Sequence, residues 1–165
     1  MEIRELGLEQ TEEIKRLMVE IFSKDPWNDM WTDTQLHAYV LELIGNRNSL
    51  SFGLYQGPAL IGMALGRIRS WYEGTEYWID EFGIASEMQC RGAGTKFLTE
   101  LEYLLKGRGV KHIVLLTERS VPAYRFYLKN GFFGTTGNGV LCKSHRMIRQ
   151  KRFNISENIH SNACS

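Results

Sequence analysis

Hydrophobic positions along the chain switch between two spacings, and each switch marks an element. Residues 1–6 alternate apolar and polar side chains, as a half-buried strand does. In residues 11–22, Ile14, Leu17, Met18, Ile21 and Phe22 recur at helical spacing on one face, with Thr11 as the expected cap. Asp25-Pro26-Trp27 ends that pattern, because proline disfavours helical geometry in the residue before it. A second helix is expected over 33–44, where Leu36, Tyr39, Val40 and Leu43 form the stripe and Gly45-Asn46 supplies the stop. Strands over 49–55 and 60–69 follow, joined by a hairpin loop at Gln56-Gly57-Pro58.

The second half continues with a strand over 77–85, rich in aromatic and branched residues. A helix over 95–105 carries Phe97, Leu98, Leu101 and Leu104 or Leu105, and stops at Gly107-Arg108-Gly109. A short buried strand over 112–116, a short helix over 122–129 and a closing strand pair over 132–135 and 140–148 complete the pattern. Hairpins followed by crossover helices imply an α/β fold whose mixed sheet is antiparallel in its N-terminal strands and parallel around the central helix. The length fits one domain, expected over 1–148, with a polar, aperiodic tail over 149–165.

Composition narrows the class of partner. Of the 165 residues, 43% are hydrophobic and 24% charged, as in ordinary globular domains. A formal charge of +1 supplies no broad field for nucleic acid or an anionic membrane, so neither is an expected partner and any phosphate recognition must be local. Cys90, Cys142 and Cys164 are odd in number and lack CxxC spacing, which points to reduced thiols. His37, His112, His145 and His160 have no metal-ligand spacing, and no metal is expected. The N-terminus lacks a basic start followed by an apolar run, and no apolar stretch approaches a membrane span of about 20 residues. A cytoplasmic protein is the expectation.

Chemistry concentrates in two segments. Gln89-Cys90-Arg91-Gly92-Ala93-Gly94-Thr95 joins a predicted strand to a predicted helix. Its glycines allow close backbone approach, and the free N–H groups that open the helix suit a pyrophosphate. The GxxxxGK(S/T) loop of nucleotide hydrolases is absent. The dinucleotide fingerprint GxGxxG is also absent, because Phe97 stands where its third glycine belongs. The second segment, 120–132, runs from Ser120 through Ala123, Phe126 and Tyr127 to Gly131-Phe132.

These two segments, in this order, resemble the signatures of the GNAT N-acetyltransferase superfamily. Gln89, Gly92 and Gly94 match its Q/R-x-x-G-x-G/A loop, and 120–132 is similar to its N-x-x-A-x-x-F/Y-Y-x-x-x-G-F segment, departing at Ser120 where asparagine is common. The resemblance covers about 49–148. It implies a splayed central sheet and acetyl-CoA as co-substrate, bound by Phe82, Gly83, Ile84, Gln89, Cys90, Arg91, Gly92, Ala93, Gly94, Thr95 and Ser120. It also implies that Tyr127 protonates the leaving sulfur and that a backbone N–H on the strand over 81–84, with Phe82 and Ile84 the matching positions, meets the oxyanion. Tyr127 is equally explained as a core aromatic on the stripe with Tyr124 and Leu128.

The acceptor amine must also lose a proton. Glu76, Asp80 and Glu81 lie in one strand, where acidic residues are usually depleted. Alternation puts Asp80 on the face of Phe82 and Ile84, with Glu81 opposing it. The stretch Trp78-Ile79-Asp80-Glu81-Phe82 is similar to a segment of some aminoglycoside 6'-N-acetyltransferases, which makes Asp80 the candidate base or amine anchor; a solvated strand face is the alternative. Acidic and aromatic residues that would hold a polycationic acceptor by charge and cation–π contact are Trp27, Asp29, Trp31, Tyr72, Glu76, Trp78 and Asp80. Core anchoring explains the same tryptophans. The resemblance therefore implies direct acetyl transfer to a small-molecule amine, with an antibiotic-modifying aminoglycoside acetyltransferase as one branch. Polyamines, amino acid derivatives, protein N-termini and a non-catalytic acyl-CoA-binding domain are the alternatives, and an edge strand or the tail would offer a homodimer contact.

Overall fold

The computed structural model describes residues 1–134 and 140–144. The chain runs β1 (Glu2–Leu6), α1 (Thr11–Phe22), α2 (Asp33–Ile44), β2 (Ser51–Gln56), β3 (Ala59–Trp71), β4 (Gly74–Ile84), α3 (Ala93–Gly107), β5 (His112–Leu116), α4 (Pro122–Lys129), β6 (Phe133–Gly134) and β7 (Val140–Ser144). The bounds of α1, α2, β5 and α4 are those that apolar spacing predicts. Thr11 does not cap α1: a 3-10 turn at Leu8–Gln10 leads straight into the helix, and the Thr11 hydroxyl donates to the Leu8 carbonyl at 2.6 Å. Thr32 caps α2 instead, in a reciprocal box with Gln35. The expected loop before the central strand is a hairpin tip, because β3 runs on to Trp71 and β4 begins at Gly74. The tail over 149–165, with Cys164 and His160, and also His145, lie outside the described residues.

Seven strands form one mixed sheet in the order β1-β2-β3-β4-β5-β7-β6, antiparallel except for the central β4–β5 pair. The crossover through α3 makes that pair parallel. A Cβ at Gly83 would touch Ile21, so α1 covers one face of β4. Phe82 stacks on Phe97 and Phe126, so α3 and α4 cover the other. Ile14, Met18, Leu54, Met63, Leu65, Phe97, Leu98, Leu101 and Ile113 are fully buried between these layers, each contributing about 1.5–3 kcal/mol of transfer free energy. Lys15 draws the first two helices together, with its ammonium 2.7 Å from Asp33 and 3.0 Å from Glu12.

Two irregularities in β4 create the site. Parallel pairing with β5 runs from Glu76 opposite His112 to Ile79 opposite Leu115 and then stops, leaving residues 80–84 without a partner on that side. On the other side, Gly66 of β3 pairs with Ile79 and Leu65 with Glu81, so Asp80 is the extra residue of a β-bulge. Gly66 permits it. A Cβ there would run into the Trp78 carbonyl and sit 2.8 Å from the Tyr77 ring, which is fully buried with its hydroxyl shared between the Leu50 and Ala64 carbonyls.

Replacing Gly66 with alanine is expected to lower stability by about 1–3 kcal/mol through overpacking beside the bulge. At Gly107 an added Cβ meets nothing within 4 Å, so Gly107→Ala should be neutral or stabilising by about 0.4–1 kcal/mol. Thermal unfolding of both variants against the parent chain checks the contrast; equal melting temperatures would remove the steric role of Gly66.

Candidate active site

Where β4 and β5 part, a cleft of about 750 Å³ opens between residues 80–82 and 116–119, with Phe22, Trp27, Asp29, Ala123 and Tyr127 completing its walls. Backbone polarity follows from the register. The Ala85 N–H donates to the Ile61 carbonyl on β3, and hydrogen-bonded pairs alternate along an antiparallel ladder. Residues 81, 83 and 85 therefore spend their polar groups on β3, whereas the N–H groups of Phe82 and Ile84 face the gap. The Ile84 carbonyl on that side is taken by the Gln89 side-chain amide at 2.9 Å.

That hydrogen bond links the gap to the glycine-rich turn. Cys90 and Gly92 adopt left-handed conformations, φ 57° and 80°, which turn the chain into α3. The first helical hydrogen bond is donated by Lys96 to the Gly92 carbonyl, so the N–H groups of Ala93, Gly94 and Thr95 precede it. No acidic residue occupies the first turn. A Cβ at Gly92 would meet nothing, leaving open space, while one at Gly94 would press on the Phe126 ring at 3.3 Å. These features fit the pyrophosphate of a coenzyme A thioester: unpaired donors, a favourable helix dipole and room for close approach. Arg91 and Thr95 are exposed beside the turn, and Ser120, also exposed, donates to Glu118 at 3.3 Å.

Tyr127 reaches the cleft from α4, which Pro122 opens. Its ring meets Phe82, Phe126 and Phe132 edge-on, at centroid distances of 6.2, 5.3 and 5.5 Å. Burial, and then the nearby Glu81 charge, raise its pKa well above that of a free phenol, so it stays protonated at neutral pH. It is buried in the core and is also among the residues that line the cleft.

The acidic residues of β4 have separate partners. Glu76 is buried and accepts the Trp78 indole N–H at 2.6 Å. Asp80 pairs with Arg67 at 2.6 Å and retains 20% side-chain exposure. Glu81 accepts the Tyr39 hydroxyl at 2.6 Å. The bulge corrects the alternation expected for Asp80: it turns with Glu81 toward α2, while Phe82 faces α3 and α4. Burial raises the pKa of Glu81, the Tyr39 hydrogen bond opposes that, and the charges of Asp29 and Asp80 add to it. Burial likewise raises Asp80 against the pull of Arg67.

Of the acceptor residues expected from sequence, Trp27, Asp29 and Asp80 meet Tyr127 in the cleft. Trp31 is not part of the lining; it stacks on Tyr39 at 5.1 Å. Tyr72 is 83% exposed at the hairpin tip, and Glu76 and Trp78 lie toward that end of β4. Six residue-to-residue steps separate Gly74 from Asp80, about 20 Å at 3.3 Å each, too far for the tip to reach the gap within one copy. Cys90 does not line the cleft. Among the described residues, no group of three or more His, Cys, Asp or Glu is placed to hold a metal ion, and no helix is long and apolar enough to cross a membrane. The sequence left open whether Asp80, Glu81 or a water chain is the base; Tyr39 and Arg67, which bond to Glu81 and Asp80, are the contacts it did not assign.

Comparison with known proteins bears on the fold and the family. The chain is similar to the PaiA N-acetyltransferase of Thermoplasma acidophilum in complex with coenzyme A, at 20% identity over 88% of this chain and 100% of that one, with a TM-score of 0.63. It is similar to the ribosomal-protein-S18-alanine N-acetyltransferase of Escherichia coli, at 17% identity over 97% and 99%, with a TM-score of 0.69. An aminoglycoside acetyltransferase from an uncultured soil metagenomic sample, in complex with sisomicin, matches at 15% identity over 79% and 86%, with a TM-score of 0.63. At these identities the likeness is one of fold. No curated protein matches the chain in sequence. The Acetyltransferase (GNAT) family matches residues 11–132, from the start of α1 to the phenylalanine that packs on Tyr127. With that match over most of its length, the chain belongs to the GNAT acetyltransferases, whose acyl donor is acetyl-CoA.

Proposed function

We propose that the chain transfers the acetyl group of acetyl-CoA directly to a primary amine of a small polycationic acceptor. One observation carries this reading: the cleft is lined by Asp29, Asp80, Glu81 and Glu118 against the single cation Arg119, together with Trp27 and Tyr127. An excess of carboxyl groups and an indole attract an ammonium-rich molecule by charge and cation–π contact. The aminoglycoside acetyltransferase of similar fold that holds sisomicin supports an aminoglycoside among the candidate acceptors. Small polyamines and amino acid derivatives share the same chemistry.

Acetyl-CoA supplies the thioester carbon to which the new C–N bond forms as its C–S bond breaks. One of the two N–H groups that face the gap, that of Phe82 or that of Ile84, donates to the thioester oxygen as charge gathers on it. Glu81, buried and with its pKa raised, takes the proton that the attacking amine loses. Asp80 is tied to Arg67 and serves as a fixed negative charge for the acceptor. Tyr127 gives its proton to the sulfur, because burial disfavours a bare thiolate. Glu81 then releases the amine's proton and Tyr127 is reprotonated through solvent, so that net one proton passes from nitrogen to sulfur.

Thiol release measured over a panel of monoamines, polyamines and aminoglycosides tests the reading. Turnover with multiply charged amines is expected, and acetyl-CoA binding without release for any amine would favour a non-catalytic acyl-CoA-binding domain. Tyr127→Phe should lower kcat by about 10²–10⁴-fold, with acetyl-CoA binding retained. An unchanged kcat would remove the tyrosine from the reaction. The raised pKa of Glu81 places the acidic limb of kcat/KM above the ordinary carboxylate value of about 4.3, because the base works only when ionised. Glu81→Gln should abolish that limb. Asp29→Asn should raise KM for polyamines by about tenfold, the equivalent of roughly 1.4 kcal/mol, and leave monoamines little changed.

A further inference from the structure

Tyr39 lies at the middle of α2, beside the buried stripe of Leu36, Val40 and Leu43, and lines a pocket with Arg67 and Asp80. Its ring is stacked on Trp31 at a centroid distance of 5.1 Å and an interplanar angle of 14°. Trp31 in turn precedes the capped first turn of α2, where Thr32 and Gln35 bond reciprocally. The phenol is therefore held at both its face and its tip. At the tip, the hydroxyl crosses from helix to sheet and donates to Glu81 at 2.6 Å.

We infer that Tyr39, clamped by Trp31, is a positioning residue that aims the Glu81 carboxylate and sets its proton affinity. The inference rests on Glu81 being the base of the proposed reaction. A glutamate side chain has three rotatable bonds, and a short hydrogen bond from a stacked ring selects one arrangement of them. Burial, the Glu81 bond and the surrounding carboxylates all raise the pKa of Tyr39 itself, so it remains a donor at every pH at which an amine is acetylated.

The other charged and titratable groups around Glu81 come from every element about it. Asp29 stands in the α1–α2 connection, Asp80 on β4 with Arg67 of β3 bonded to it, Tyr127 on α4, and Glu118 and Arg119 beyond β5. Asp29 and Asp80 favour the protonated carboxyl, whereas Tyr39 favours the ionised form. Tyr39 is thus the group whose bond keeps this buried carboxylate available as a base. The same assignment gives Trp31 a place: it steadies the helix tyrosine rather than touching the acceptor.

Tyr39→Phe keeps the ring and its stack and removes only the O–H. Loss of the bond raises the proton affinity of Glu81, so the acidic limb of kcat/KM should move to higher pH. The rate on that limb should fall several-fold, with KM for acetyl-CoA unchanged. Trp31→Leu should lower kcat, and Trp31→Phe should restore it. The comparison is made against Glu81→Gln. If Glu81→Gln removes the limb and Tyr39→Phe leaves it in place, Tyr39 is only a packing residue and the inference is overturned while the reading of Glu81 as base stands. If Glu81→Gln retains the limb, the base is another group, and both fall.

Discussion

Backbone groups without a neighbour in the sheet are the constraint on which the rest of this fold turns. A buried peptide N–H or carbonyl must be paired or reach solvent. Yet β4 continues past Ile79 with no strand on its β5 side. The Ile84 carbonyl is satisfied by Gln89, and the N–H groups of Phe82 and Ile84 are left at an open cleft. Such an edge accepts an extended molecule as a sheet accepts another strand. Everything nearby follows from keeping that edge open: β5 ends at Leu116, α3 begins beyond the turn, and the aromatic cluster of Phe82, Phe97, Phe126 and Tyr127 closes the far wall without supplying a strand.

The same strand divides labour among its acids by giving each a different partner. An indole N–H holds Glu76 within the sheet, a guanidinium holds Asp80, and a phenol holds Glu81. Burial raises the pKa of both Asp80 and Glu81; the guanidinium opposes that rise for Asp80 and the phenol opposes it for Glu81. On the proposed reading, anchoring falls to Asp80 and proton transfer to Glu81. The bulge makes this division possible, because regular alternation would send Asp80 and Glu81 to opposite faces.

Much of the architecture is legible in the chain, because apolar residues at helical spacing bury one face of α1 and α2, while a proline opens α4, whose buried residue is Tyr127. The glycine-rich turn is legible for a related reason: left-handed backbone at Gly92 and the approach of Phe126 to Gly94 both ask for glycine. The bulge is not, since a one-residue shift in pairing depends on Gly66 in another strand. The assignment of Trp31 and Tyr72 by residue type also failed to place them, because chemistry alone does not distinguish a cleft wall from a ring stack or a hairpin tip.

The bond from Gln89 to Ile84 has a wider meaning. It pins the start of the anion-binding turn to the end of the open strand, so the two donor sets keep a constant separation. A molecule that engages both must have its phosphates and its carbonyl a matching distance apart. The protein thereby works as a caliper. Small thioesters that fill only the gap forgo the helix N-terminus, and nucleotides that fill only the turn bring nothing to the gap. On the proposed reading of the turn and the gap, selection of the acyl donor follows from a length that the Gln89 side-chain bond fixes.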